Sequence, residues 1–137
     1  MKTWLLSACC FLILSVGFAQ QAPVKIVFDV TSGDSTVHQA VVRHVSMMAE
    51  AYPGSQFEVV IYGGAIDLVS KDRSVVSNEV QKLAANPNIK FAVCEITMKK
   101  YQVESTQLIP GVIHVPDGIL EIYKRQQEGW GYIKESK

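Results

Sequence analysis

Cys94 is the residue in this chain whose type and setting most invite chemistry. It closes the apolar part of Asn88–Lys100, N-I-K-F-A-V-C-E-I-T-M-K-K. Ile89, Phe91, Ala92 and Val93 read as a buried strand, and after Cys94 the pattern turns helical through Ile96, Thr97 and Met98. In an open α/β sheet, reactive groups sit where strands end and helices begin, and the N–H groups of a helix start favour an anionic sulfur. Lys99 and Lys100 add positive potential there, while Glu95 opposes it. The bland alternative is a small apolar residue finishing a buried strand, since cysteine is among the most buried residue types. His114 would make a Cys–His couple only if its strand neighbours that of Cys94; an ordinary strand-end histidine is the expectation. His38 and His44 lie six residues apart, which is not one helical face, and are expected to be solvated or half-buried.

Other chemistries find no support in the residue pattern. Outside the first 19 residues, one cysteine beside three scattered histidines lacks the ligand spacing of a zinc site, so neither a metal nor a cofactor is expected. Gly33 and Gly63-Gly64 form neither a G-x-G-x-x-G fingerprint nor a P-loop and read as turns. There is no G-x-S-x-G elbow. Carboxylates are scattered, and nothing marks two of them as an acid/base pair. The 137 residues carry zero formal net charge and no basic tract, which leaves nucleic-acid binding without an electrostatic footprint. A hydrophobic fraction of 48% suits one globular domain with a sizeable core.

The first 19 residues are a different kind of sequence. Met1–Ala19 has one charge, Lys2, then an apolar stretch from Trp4 to Phe18, and closes on Gly17-Phe18-Ala19. That is the layout of a cleaved secretory signal peptide, and the stretch is short for a membrane span. The expected product is therefore an exported protein of residues 20–137 with no stable membrane insertion. Leu6-Ser7-Ala8-Cys9 resembles a lipobox, which makes lipidation at Cys9 the minor alternative. Cleavage after Ala19 removes Cys9 and Cys10 and leaves Cys94 alone in a compartment that favours disulfides. Such a cysteine is buried and inert, paired between chains, or reactive.

The elements that position Cys94 follow one another in alternation. Lys25–Val30 reads as a strand covered on both faces, followed by the turn Thr31–Ser35, rich in helix-capping residues. Val37, Val41, Val45, Met48 and Tyr52 recur at helical spacing across Thr36–Tyr52, and Pro53-Gly54 stops that helix. Phe57–Tyr62 is a second strand. Ala65–Val69 is ambiguous, Ser74–Ala85 reads as a helix, and Ile89–Cys94 is the third strand. Glu95–Tyr101 forms a short helix, Glu104–Leu108 a polar connection and Val112–Val115 a short strand. A helix begins at Pro116-Asp117-Gly118 and ends at Gly129, and Trp130–Lys134 makes a last strand. Lys82-Leu83 and Tyr123-Lys124-Arg125 read as solvated helix faces.

This order predicts one α/β domain, three layers thick, with a mainly parallel sheet of about five strands. All strand C-terminal ends then share one edge, where a crevice is the default ligand site. Cys94 is the candidate reactive residue there, with Thr31, Ser32, Thr97 and Pro116 as candidate crevice residues.

The same blocks, in order, resemble the DsrE/DsrF-like family related to TusD-type sulfur-relay subunits. The resemblance runs from Val24 to Lys134. It rests on Lys25–Val30, Val59–Gly64, Phe91–Cys94 with Thr97-Met98, Ile109–Gly118 and Gln127–Lys134. It implies a three-layer fold, homo-oligomers (trimers or hexamers), and a cysteine that carries sulfur as a persulfide, a role that falls on Cys94. Because the resemblance is to bacterial sulfur proteins, it implies a periplasmic location, and the functional expectation is thus an exported thiol protein that takes sulfane sulfur from a donor and hands it to an acceptor protein. Its rival is a non-catalytic oligomeric module that binds a small ligand or a protein and keeps Cys94 as core. A covalent dimer through Cys94 ranks third.

Overall fold

The computed structural model describes residues 21–136. Strands β1 (Lys25–Val30), β2 (Gln56–Ile61), β3 (Ile89–Cys94), β4 (Ile113–Val115) and β5 (Gly131–Glu135) form one sheet in the order β4-β3-β2-β1-β5. Every neighbouring pair is parallel. The five-stranded expectation holds, and "mainly parallel" becomes wholly parallel.

Four α-helices complete the layers: α1 (Ser35–Ala51), α2 (Ser77–Ala84), α3 (Glu95–Tyr101) and α4 (Gly118–Gln127). Asp34 caps α1 by accepting from the Thr36 N–H, and Asp117 caps α4 by accepting from Ile119 and Leu120. The ambiguous Ala65–Val69 lies in a 3-10 helix, Gly63–Val69, whose entry turn uses a positive φ at Gly63. Helix α2 starts three residues later than its sequence pattern suggests; the Ser74 hydroxyl donates to the Leu68 carbonyl at 2.7 Å and accepts from the Val76 N–H at 3.2 Å in the turn that precedes it.

The two sheet faces are covered unequally. One face carries α1, α2, α3 and the 3-10 helix over the main core, where Phe28, Phe57, Phe91, Ile61 and Leu68 are fully buried. Phe28 and Phe57 meet at 6.4 Å in a tilted pair. The other face is covered by α4, which packs Ile122 on Val27 and Val60, with Tyr62 and Trp130 at the margins. Residues that alternate away from the main core therefore face α4 or the open shelf beside it. On β1 this is Asp29, and on β2 it is Glu58.

Two sequence expectations change here. His38 is fully buried rather than solvated, with Nε2 donating to the Ser32 carbonyl at 2.8 Å. That bond ties α1 to the loop after β1, which periodicity alone does not reveal. Arg125 does not lie on a solvated face: its side chain is half-buried, with Nε 2.8 Å from Oε2 of the wholly buried Glu58. Lys82, Tyr123 and Lys124 are exposed as expected.

Candidate functional site

Strand register assembles the candidate site. Ile61 pairs with Val30 and Val93, so one step further along the sheet edge Thr31, Tyr62 and Cys94 fall in one row, and Cys94 pairs with Val115. The row beneath contains Lys134, Asp29, Val60, Ala92 and Ile113. Both rows lie at the C-terminal edge of the sheet, on the α4 side.

Cys94 ends β3, is buried with 5% of its surface exposed, and stands at the start of α3. Gly118, the first residue of α4, is pressed against it. A methyl group added at Gly118 would lie 3.2 Å from Cys94 Cβ, 3.3 Å from Val60 Cγ1 and 3.4 Å from Tyr62 Cβ. The N-terminal turn of α4 thus covers the cysteine with backbone, and that end of the helix carries the positive pole of its dipole.

Beside Tyr62 lies a polar cluster centred on Asp29, which is buried. Its Oδ2 accepts from the Tyr132 hydroxyl at 2.6 Å and its Oδ1 from Lys134 Nζ at 3.0 Å. Tyr62 lies close enough to this carboxylate to feel its charge. Lys134 Nζ donates onward to Thr31 Oγ1 at 2.8 Å and sits 5.7 Å from the centre of the Tyr62 ring. Burial, reinforced by Asp29, pushes the Tyr62 phenol up to about 12. The hydrogen bond to Asp29 does the same for Tyr132. Both phenols therefore remain hydrogen-bond donors at neutral pH.

The predicted crevice residues separate into two groups. Thr31 joins the Cys94 row through Lys134. Ser32 turns its hydroxyl to the Asp34 N–H at 3.2 Å, and Thr97, buried on α3, accepts from the Gly63 N–H at 3.0 Å. Both brace turns. Pro116 is exposed and leads into the Asp117 cap of α4.

His114 does not pair with Cys94. The two strands are neighbours, but His114 is in register with Val93 and so points to the opposite face from Cys94. Its Nδ1 donates to Glu95 Oε1 at 2.6 Å, on the rim of a groove of about 450 Å³ that also involves Met98, Lys99 and Val103. Among the described residues no group of histidine, cysteine and carboxylate side chains could hold a metal ion.

Sequence reasoning missed the Asp29 cluster and the Glu58–Arg125 pair. The available signal was the single acidic residue set into each of two otherwise apolar strands, K-I-V-F-D-V and F-E-V-V-I-Y. An acid among residues covered on both faces demands a partner.

The DsrE/DsrF-like family profile matches residues 25–134, from the first residue of β1 to Lys134 of β5. The chain belongs to the DsrE/DsrF-like family. Members of this family are often sulfur-relay proteins. Solved structures agree on the fold. The chain is 26% identical to MTH1491 from Methanobacterium thermoautotrophicum, a protein of unknown function, with a TM-score of 0.75 over 81% of this chain and 98% of that one. The ychN protein from E. coli superposes with a TM-score of 0.65 at 12% identity, covering 83% and 99%. BT1422 from Bacteroides thetaiotaomicron, also of unknown function, gives 0.64 at 16% identity, covering 80% and 93%. No curated protein matches the chain.

Proposed function

We propose that this DsrE-family protein is an exported sulfur carrier in which Cys94 accepts sulfane sulfur as a persulfide and passes it to an acceptor protein. The observation that carries this reading is the position of Cys94, at the end of a central parallel strand and beneath the N-terminal turn of α4. A thiolate there would attack the outer sulfur of a donor. One S–S bond forms to Cys94 while the donor's S–S bond breaks, and its electron pair leaves with the donor. The terminal sulfur of the resulting persulfide is anionic, and the positive end of α4 favours an anion at that place. Transfer onward needs a second protein, which makes "carrier" a better description than "enzyme".

Export is supported by the pattern of Met1–Ala19, which falls outside the described residues. Among the described residues no helix is long and apolar enough to cross a membrane. Self-association into a trimer or hexamer is supported by Ile119, Leu120 and Tyr123 of α4 and by Ile96 and Ile113, all exposed. The low exposure of Cys94 favours a second reading, a binding module in which the cysteine is core.

Intact mass separates these readings. Purified protein incubated with thiosulfate or polysulfide should gain the mass of one sulfur atom, removable by reductant and absent in Cys94→Ser. The same spectrum reports whether the mature chain begins at Gln20. No adduct, together with a thiol that alkylates only after unfolding, would establish the binding module instead.

A further inference from the structure

The arrangement of α4 points to a control on Cys94 that does not depend on sulfur chemistry. We propose that Glu58, Glu121 and Arg125 form a pH-sensitive latch that seats α4 on the sheet and thereby governs access to Cys94.

The geometry is that of a helix held at both ends on a face that it covers alone. At its N-terminal end, Gly118 rests on Cys94, Val60 and Tyr62. One turn on, Ile122 provides the apolar contact. At its C-terminal end the contact is ionic. Arg125 Nε lies 2.8 Å from Glu58 Oε2, its NH2 lies 2.8 Å from Glu121 Oε1, and its NH1 lies 3.0 Å from Glu128 Oε2. Arg125 also stacks over Trp130 at 5.1 Å. Glu58 is wholly buried, and Glu121 nearly so, with 12% of its side chain exposed. One guanidinium therefore faces two enclosed carboxylates and a third at the surface. A proton on Glu58 balances the enclosed charge; its loss leaves one buried negative charge in excess.

The groups facing Glu58 can be named element by element. Helix α4 presents Glu121 and Arg125, with Glu128 behind the guanidinium. Strand β3 presents Lys90 in register, and β1 presents the apolar Val27. Lys25 of β1 lines the same hollow of about 240 Å³ as Lys90 and Arg125. Burial is the largest influence and raises the Glu58 carboxyl to about 7. Arg125 works against that rise, Glu121 reinforces it through a hydrogen bond and its charge, and Lys90 opposes it. In the unfolded chain the ordinary value is 4.5. The stabilisation is therefore complete below pH 4.5 and is lost as pH rises through about 7. Above that pH the seat of α4 weakens and local opening exposes Cys94.

Two readouts on the folded protein test the latch between pH 5 and pH 9. Alkylation of Cys94 accelerates with pH in any variant as the thiol ionises. The wild type should show a further rise of about fivefold or more with a midpoint near 7, which Glu58→Gln should lack. Amide exchange in Gly118–Gln127, corrected for intrinsic pH dependence, should lose protection over the same range in the wild type alone. Glu121→Gln removes a neighbour that raises the Glu58 carboxyl, so it should move the midpoint to lower pH; it also tests the latch should Glu58→Gln fail to fold. Parallel profiles for the wild type and the folded variants, or protection of α4 that is independent of pH, would overturn the proposal.

Discussion

Replacing Asp29 with alanine should destabilise the protein by about 2 kcal/mol, because two half-exposed donors lose the buried carboxylate that they share. Tyr132 and Lys134 donate to this carboxylate, and its charge also acts on Tyr62. Lys134 also links β5 to the Thr31 loop, so the loss would be felt at the C-terminal edge of the sheet rather than in the main core. A spectroscopic signature distinguishes this from a general loosening. Both phenols sit near 12, against an ordinary value of 10.0. For Tyr132 the main cause is the bond to Asp29, so its titration should fall back towards 10; for Tyr62 the main cause is burial, so it should fall only part of the way. Ultraviolet absorbance of tyrosinate during a pH titration would resolve the two. Unchanged tyrosine titration in Asp29→Ala would mean that the carboxylate does not hold these groups.

A comparable effect is expected at Gly118. Valine at this position would drive a branched side chain into Cys94, Val60 and Tyr62, where even a single methyl has only 3.2–3.4 Å. Overpacking of this kind costs about 2–3 kcal/mol. Alanine should be far milder, because a helix gains roughly 1 kcal/mol from Gly→Ala, which offsets much of the crowding. The functional consequence should exceed what global stability implies. With its first turn displaced, α4 would no longer lie on Cys94, and alkylation of that thiol should accelerate in Gly118→Val well before the protein unfolds. Chemical denaturation followed beside alkylation kinetics measures both. Equal thiol reactivity in the wild type and Gly118→Val would show that the cover over Cys94 lies elsewhere.

These two positions also mark what the sequence reveals unaided. The main core was legible because its code is local. Val37, Val41 and Val45 repeat at helical spacing, and the runs in β1, β2 and β3 are bounded by turn residues. The alternation of strands and helices then implies a parallel sheet and one edge of strand ends. That logic puts Cys94 and Thr31 on this edge, where the strand register places them. The polar face was not legible, because its partners are distant in sequence: Asp29 meets Lys134 across 105 positions. Glu58 meets Arg125 only once α4 has folded back across the sheet. His114 shows the limit in the other direction, since a four-residue strand does not show which way its side chains alternate. The 3-10 helix Gly63–Val69 escaped for a related reason. Its form depends on a positive φ at Gly63 and on Thr97 from another element, not on any periodicity of its own.

The pairing of β5 with β1 has a consequence in time. A ribosome delivers the N-terminal strand first, yet its outer neighbour is the last strand to emerge. Until Gly131–Glu135 are made, β1 remains an open parallel edge able to accept a strand from another chain. During that interval Asp29 is without both Tyr132 and Lys134. Four strands and the main core can condense beforehand, while the shelf next to Cys94 waits for β5. Nascent or C-terminally truncated chains should thus be collapsed but prone to misassociation, and a finished shelf certifies that synthesis has run through residue 135.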